Sequence, residues 1–196
     1  EAYYFATGKN VKAVLIEAEA VGTADVIFIS SGDYTTGMLS DNTVYYNFTC
    51  YRDGKMETIK LADMNYYAPW GASPIVVGAY TVVKDFDSDL YTASRFITPD
   101  EVFNFETYDY DPTPVKYADE TYFVVDVGED SVTYAITPTT EVYLVTYGVH
   151  NAVIDVEPVK MVGPTSRDDV KIVAVLATGS GTEYTASAVF YRIDPK

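Results

Sequence analysis

Along most of the chain, apolar and polar residues alternate with a period of two, in short runs. The runs read "KAVLIEAEA", "ADVIFIS", "NTVYYNFTCYR", "SPIVVGAYTVV", "ETYFVVDV", "SVTYAIT", "TEVYLVTYG", "VKIVAVLA" and "TASAVFYRI". Alternation of this kind puts successive side chains on opposite faces of a strand. Clusters of Gly, Pro, Asn and Asp bound each run, as hairpin turns require. Asp53-Gly54 in "YRDGKME" predicts a tight type I′ hairpin. "GSGTE" from Gly179 reads as a second turn. Helix signals are few. Thr98-Pro99-Asp100-Glu101 combines a capping residue, an early proline and a third-position glutamate, so "TPDEVFNFE" reads as a short helix or a single turn. "KLADMNYY" from Lys60 is a weaker helix candidate. The expected class is all-β: two tandem small antiparallel modules, sandwich-like or barrel-like, with at most one or two short helical turns.

The duplication shows in the sequence itself. Tyr91-Thr92-Ala93-Ser94 recurs as Tyr184-Thr185-Ala186-Ser187, each time after a strand and a polar turn. On a strand, Tyr and Ala share one face and Thr and Ser the other. The small Ala leaves room for a bulky neighbour, so the motif has a packing role. A second landmark keeps the same order: Asp41-Asn42-Thr43-Val44-Tyr45 matches Asp119-Glu120-Thr121-Tyr122-Phe123. A third copy of the terminal strand pair aligns at "KAVLIEAEAVGTADVIFI", with Ala24 in the Ala93 position. These matches divide the chain near Thr98-Pro99. Residues 1–98 form one module, whose N-terminal part reads as the end of a preceding repeat. Residues 99–196 form a second module with insertions. On this reading "YYFATG" lacks the Asp-x-Thr strand of the other copies and is expected to pair with the body or with a neighbouring subunit.

Composition narrows the picture further. The 196 residues carry a net charge of −16, which excludes binding to nucleic-acid backbones and suits a solvated outer surface. Hydrophobic residues make up 48%, enough for a real core. No apolar run reaches the ~20 residues of a membrane helix, so membrane insertion is not expected, and no signal-peptide pattern stands at Glu1. Cys50 is the only cysteine and His150 the only histidine, so there is no internal disulfide and no Cys-based zinc site. Cys50 reads as a buried strand residue and His150 as a turn or strand-end residue.

Two clusters invite chemistry. Asp85, Asp87 and Asp89 have the D-x-D-x-D spacing that opens a calcium loop. Position 6 is Leu90 and position 12 is Phe96, so a full EF-hand is absent. The run is either a solvated hairpin tip or a partial loop holding Ca²⁺ weakly with help from Asp109 or Asp111. "NYYAPWGASP" places Tyr66, Tyr67 and Trp70 in a Pro/Gly-rich stretch. They are either a platform for sugar rings or a loop tucked over the core by its aromatics. No nucleophile motif accompanies His150, and "TGSGTE" lacks the lysine and following helix of a phosphate loop. Asn47-Phe48-Thr49 is a glycosylation triplet in form only, because it lies inside a predicted strand.

Several motifs together resemble the β-rich repeats of long surface proteins in Clostridia-like bacteria, chains that carry S-layer homology domains as wall anchors. They are Asp119 to Phe123, Thr140 to Val145, Thr146-Gly148-Asn151 and Ala186 to Ile193. Phe5 to Asn10 echoes Val145 to Asn151, one residue shorter. The aspartate-rich turn of that family is partly kept in "KDFDSDLY" and lost in "TGSGTEY", and these residues include no S-layer homology domain. The resemblance implies an extracellular, cell-wall-associated structural segment without catalytic residues. Its partners would be neighbouring modules or subunits of the same protein. The competing expectation is an adhesin or carbohydrate-binding module with a glycan partner.

Overall fold

The computed structural model describes residues 2–7, 10–16, 25–68, 71–85, 87–95, 112–161 and 169–194. They form β1 (Ala2–Thr7), β2 (Asn10–Ile16), β3 (Asp25–Met38), β4 (Val44–Arg52), β5 (Lys55–Leu61), β6 (Asn65–Ala68), β7 (Gly71–Pro74), β8 (Gly78–Lys84) and β9 (Tyr91–Arg95). After these come β10 (Thr113–Ala118), β11 (Tyr122–Val127), β12 (Asp130–Ala135), β13 (Glu141–Tyr147), β14 (Val153–Pro158), β15 (Val170–Ser180) and β16 (Glu183–Ile193). The helical content among the described residues is one 3-10 turn, Val149–Asn151. The chain is all-β. The boundary expected near Thr98-Pro99 and the helix expected at "TPDEVFNFE" lie outside the described residues.

Strands β3–β9 and β10–β16 follow one plan, twice. The first sheet runs β5-β4-β3-β8-β9-β6-β7 and the second β12-β11-β10-β15-β16-β13-β14. In each, the third strand of the module pairs in parallel with the last, β5 with β9 and β12 with β16, closing five strands into a barrel. A two-stranded extension hangs from each last strand, β6-β7 in one and β13-β14 in the other. The repeated Ala93 and Ala186 sit on these last strands, each 2% exposed and each facing its barrel core. The repeated Asp-x-Thr is a turn device. The Asp41 carboxylate accepts the Thr43 N–H at 2.9 Å, and that of Asp119 accepts the Thr121 N–H at 2.7 Å.

Turn chemistry follows the sequence closely. Asp53 and Gly54 have φ of 50° and 71°, both positive, as type I′ demands. Gly181 takes positive φ in the two-residue link between β15 and β16. The extra length of the second module falls in its longer β13-β14 extension and in residues 159–169, against residues 75–77 in the first.

Two expectations are corrected. Residues from Lys60 do not form a helix: Lys55–Leu61 and Asn65–Ala68 are strands, joined where the Asp63 carboxylate accepts the Asn65 N–H at 3.0 Å. Ladder pairing with β4 and β9 outweighs the weak local preference. "ADVIFI" is not the closing strand of an earlier copy. Asp25–Ile29 pairs with β8, and Phe28, Ile29 and residues 34–38 pair with β4, so this run opens the first barrel. Period-two patterning reveals a strand but not its neighbours. β1 and β2 pair with each other, and among the described residues neither pairs with another strand.

Each barrel has its own core. The first gathers Ile27, Ile29, Phe48, Ile59, Leu61 and Tyr80; the second gathers Phe123, Val125, Val132, Tyr134, Ile172 and Val189. A third cluster joins them. Phe28, Tyr51 and Ala79 from the outside of the first barrel meet Tyr143, Val145, Val156, Ala174, Ala188 and Phe190 from the outside of the second. Phe28 and Phe190 are fully buried, their ring centroids 5.3 Å apart. Tyr143 stacks on Phe190 at 4.8 Å. The Tyr51 hydroxyl donates to the Ile154 carbonyl at 2.9 Å, satisfying its polar end at the junction. The Asp53-Gly54 turn abuts Pro158, and a Cβ on Gly54 would come 2.6 Å from its Cδ.

Candidate functional site

A cleft opens where the first barrel closes. Its closure rests on one bridging pair, Leu61 with Tyr91, and on the Ala62 N–H donating to the Tyr91 carbonyl at 2.9 Å. The cleft, of about 300 Å³, is lined by Arg52, Glu57, Thr58, Ile59, Lys60, Lys84, Asp89 and Tyr91. That is near the lower end of small-molecule sites.

Local structure places each group. Arg52 ends β4 just before the type I′ turn, and Glu57 lies on the returning strand, so the hairpin brings the two together. Arg52 Nε is 3.0 Å from the Glu57 carboxylate, off the line of a good hydrogen bond, and Nη1 is 3.4 Å from that of Asp25. The guanidinium lies over the Tyr91 ring, 5.1 Å from its centroid. Lys84 ends β8, and Asp89 returns from the connecting loop to pair with it at 2.8 Å. The lysine holds the Asp89 carboxyl below its usual pKa, and the Lys60 charge adds to this. Lys60 also lies over Tyr45, 5.2 Å from the ring centroid.

A second surface lies at the Asp41 end of the same barrel. From Ile29 to Tyr34, β3 bulges against β4, and beyond that point it has no β8 partner. Tyr34, Met38 and Val44 stand there 42%, 62% and 47% exposed, with Tyr46 half-buried beside them. Tyr34 meets Tyr46 edge-on at 5.5 Å and Phe48 at the same distance. The result is an aromatic shelf at the mouth of the core.

The residues singled out by sequence fare differently. Tyr66 is not a loop aromatic. It sits on β6, 2% exposed, in the core against Tyr80 at 5.5 Å. Pairing with β7 turns a Pro/Gly-rich stretch into a hairpin that carries this ring inward. Tyr67 is the next residue of that strand, opposite Ser94 of β9. Trp70 lies outside the described residues.

Asp85, Asp87 and Asp89 do not form a metal cage. Asp89 is held by Lys84, the Asp85 carboxylate accepts the Ser88 hydroxyl at 2.8 Å, and among the described residues no three acidic, His or Cys groups converge on a point. The loop is pinned by the Asp85 N–H donating to the Leu90 carbonyl at 2.9 Å. Asp109 and Asp111 lie outside the described residues.

Cys50 is buried, and burial first, then the Glu57 charge, pushes its thiol up to about 12, which suppresses the nucleophilic thiolate. His150 sits in the turn after β13 with φ of 60°. Asn47 lies within β4, its amide donating to the Thr35 hydroxyl at 3.2 Å.

Sequence reasoning missed Arg52, Lys60 and Lys84. The available signal was their rarity, 13 cations against 29 acids, but nothing local joins three positions brought together by barrel closure. Compared with models of known protein families, with curated proteins and with solved structures, the chain matches none.

Proposed function

We propose that the chain is a non-catalytic structural segment of a bacterial cell-surface, S-layer-like or extracellular fibre protein. The supporting observation is one strand plan built twice in succession, with the two copies sharing a buried junction of nine apolar side chains. Such a pair is a stiff spacer, because relative motion would expose Phe28 and Phe190 to water. The excess of acidic residues suits a solvated exterior, and the resemblance to wall-anchored repeats points to the same setting. The test is fractionation of the source cells with an antibody to this chain, together with protease shaving of intact cells. The expected result is chain in the wall or surface fraction, lost on shaving. Recovery from the cytosol, protected from protease, would sink the reading.

The aromatic shelf favours a second reading, an adhesin or carbohydrate-binding module. An exposed tyrosine beside aliphatic groups, as Tyr34 is, is suited to stacking on a sugar ring. A glycan array with the native chain and the Tyr34→Ala variant separates the two. Binding that is lost with Tyr34 selects the adhesin; a blank array leaves the spacer.

A further inference from the structure

The two barrels share a plan, yet only one is zipped shut. In the second, three consecutive pairs close the seam, Thr133–Glu183, Tyr134–Tyr184 and Ala135–Thr185, reinforced by the Thr133 N–H to the Thr182 carbonyl at 2.8 Å. The first has a single pair there, reinforced by the Ala62 N–H to the Tyr91 carbonyl at 2.9 Å. Its last two strands are joined by residues 85–90, where the second barrel needs only Gly181-Thr182. The longer link delivers Asp89 to the open seam, and three of the 13 cations in this acidic chain line the same opening.

From this contrast we infer that the open seam of the first barrel is a binding cleft for a single-ring ligand bearing an oxyanion, a carboxylate or a phosphate, and that Asp89 occupies the oxyanion position when the cleft is empty. This goes beyond the structural reading and does not depend on it. Arg52 is not the exchangeable cation. It is held by Asp25, Glu57 and the Tyr91 ring, and it serves as a wall. Lys84 is different. Among the described residues its one ion-pair partner is a loop carboxylate whose side chain is 78% exposed and can swing into solvent. An exposed pair of that kind is weak, so a ligand oxyanion that also meets Lys60 and the Thr58 edge of the cleft can displace it. The volume of about 300 Å³ limits the occupant to about one ring.

The test is a titration of the full chain, followed by amide NMR, with glucuronate, glucose 6-phosphate and glucose. The expected result is saturable shifts at Thr58, Lys84 and Tyr91 with the two anions and none with glucose. A response to only one anion supports the site and identifies the oxyanion. Lys84→Ala should weaken binding about tenfold. Asp89→Asn, which removes the internal competitor, should tighten it severalfold, with a melting temperature no higher than that of the native chain. Lys116→Ala, at a surface lysine paired with Asp126 in the second barrel, should leave binding as it was. The proposal is overturned by equal binding of glucose, by no saturable shift at millimolar anion, by weaker binding in Asp89→Asn, or by equal losses in Lys84→Ala and Lys116→Ala.

Discussion

The first barrel closes on one bridging pair and the second on three. Their interiors obey the same rules: a small Ala on the last strand, aromatic and branched residues around it, and an Asp-x-Thr turn between the first two strands. Their exteriors do not. At the junction the first barrel contributes residues of β3, β4 and β8, whereas the second contributes residues of β13 to β16. The contact is therefore heterologous: the copies offer different surfaces to one another. The first barrel does not offer the second barrel's docking surface again. Among the described residues, none from β6, β7 or β9, the counterparts of β13, β14 and β16, joins the shared cluster. Nor does the second barrel repeat the patch of the first. Lys116 and Asp126, on β10 and β11, form a surface pair 3.0 Å apart. Duplication preserved what each barrel needs inside and released the outside for junction, cleft and shelf.

The most severe way to break this comparison is Phe190→Ala. It removes a fully buried ring from the shared cluster and should cost about 3–5 kcal/mol in urea unfolding. Hydrogen-exchange protection should fall around Phe28 in the other barrel as well. A cost under about 1 kcal/mol would show that the junction is not a common core.

A gentler probe compares the seams. Ala93→Leu and Ala186→Leu overpack equivalent positions, and each should cost about 1–3 kcal/mol. The first should cost less, because a barrel joined by one pair can splay further than one joined by three. A larger penalty at Ala93 would contradict the looser seam.

The smallest expected effect is at the two aspartate turns. Asp119 accepts the N–H groups of Thr121 and Tyr122 and the hydroxyls of Thr121 and Tyr117, whereas Asp41 accepts the N–H of Thr43. These hydrogen bonds, led by Thr43 at Asp41 and by Thr121 at Asp119, hold both carboxyls below their usual pKa. A carboxyl lowered in the folded state stabilises the fold above its unfolded pKa, near 3.8, and loses that contribution as pH falls through the folded value. Asp119→Asn should therefore flatten the acid limb of a pH–stability curve more than Asp41→Asn does. Equal limbs would show that the additional partners add nothing.

Much of the fold could be read directly. Alternation located the strands, Asp-Gly fixed its hairpin, and the twin Ala and Asp-x-Thr landmarks announced the duplication, because each reflects a constraint acting within a few residues. The failures involve distance. Tyr66 looked like loop decoration because its partner, Tyr80, lies across the barrel. "VIFI" reads equally as a closing or an opening strand, because patterning does not reveal neighbours. Its unbroken apolar run did carry a clue, since a strand covered on both faces loses its alternation: Ile27 and Ile29 face the core and Phe28 the other barrel. The cleft was illegible because Arg52, Lys60 and Lys84 meet only through barrel closure.

The Asp53-Gly54 turn has an evolutionary consequence. Gly54 needs its positive φ for the hairpin and its missing side chain for Pro158 of the other barrel. Position 54 thus answers to two masters, while Gly128, at the matching turn of the second barrel, has nothing within 4 Å of a Cβ and answers to one. Across lineages, Gly128 should exchange with Asn or Asp, residues that tolerate the turn. Position 54 should remain fixed unless position 158 changes with it, so the pair would carry a record of when the two barrels became inseparable.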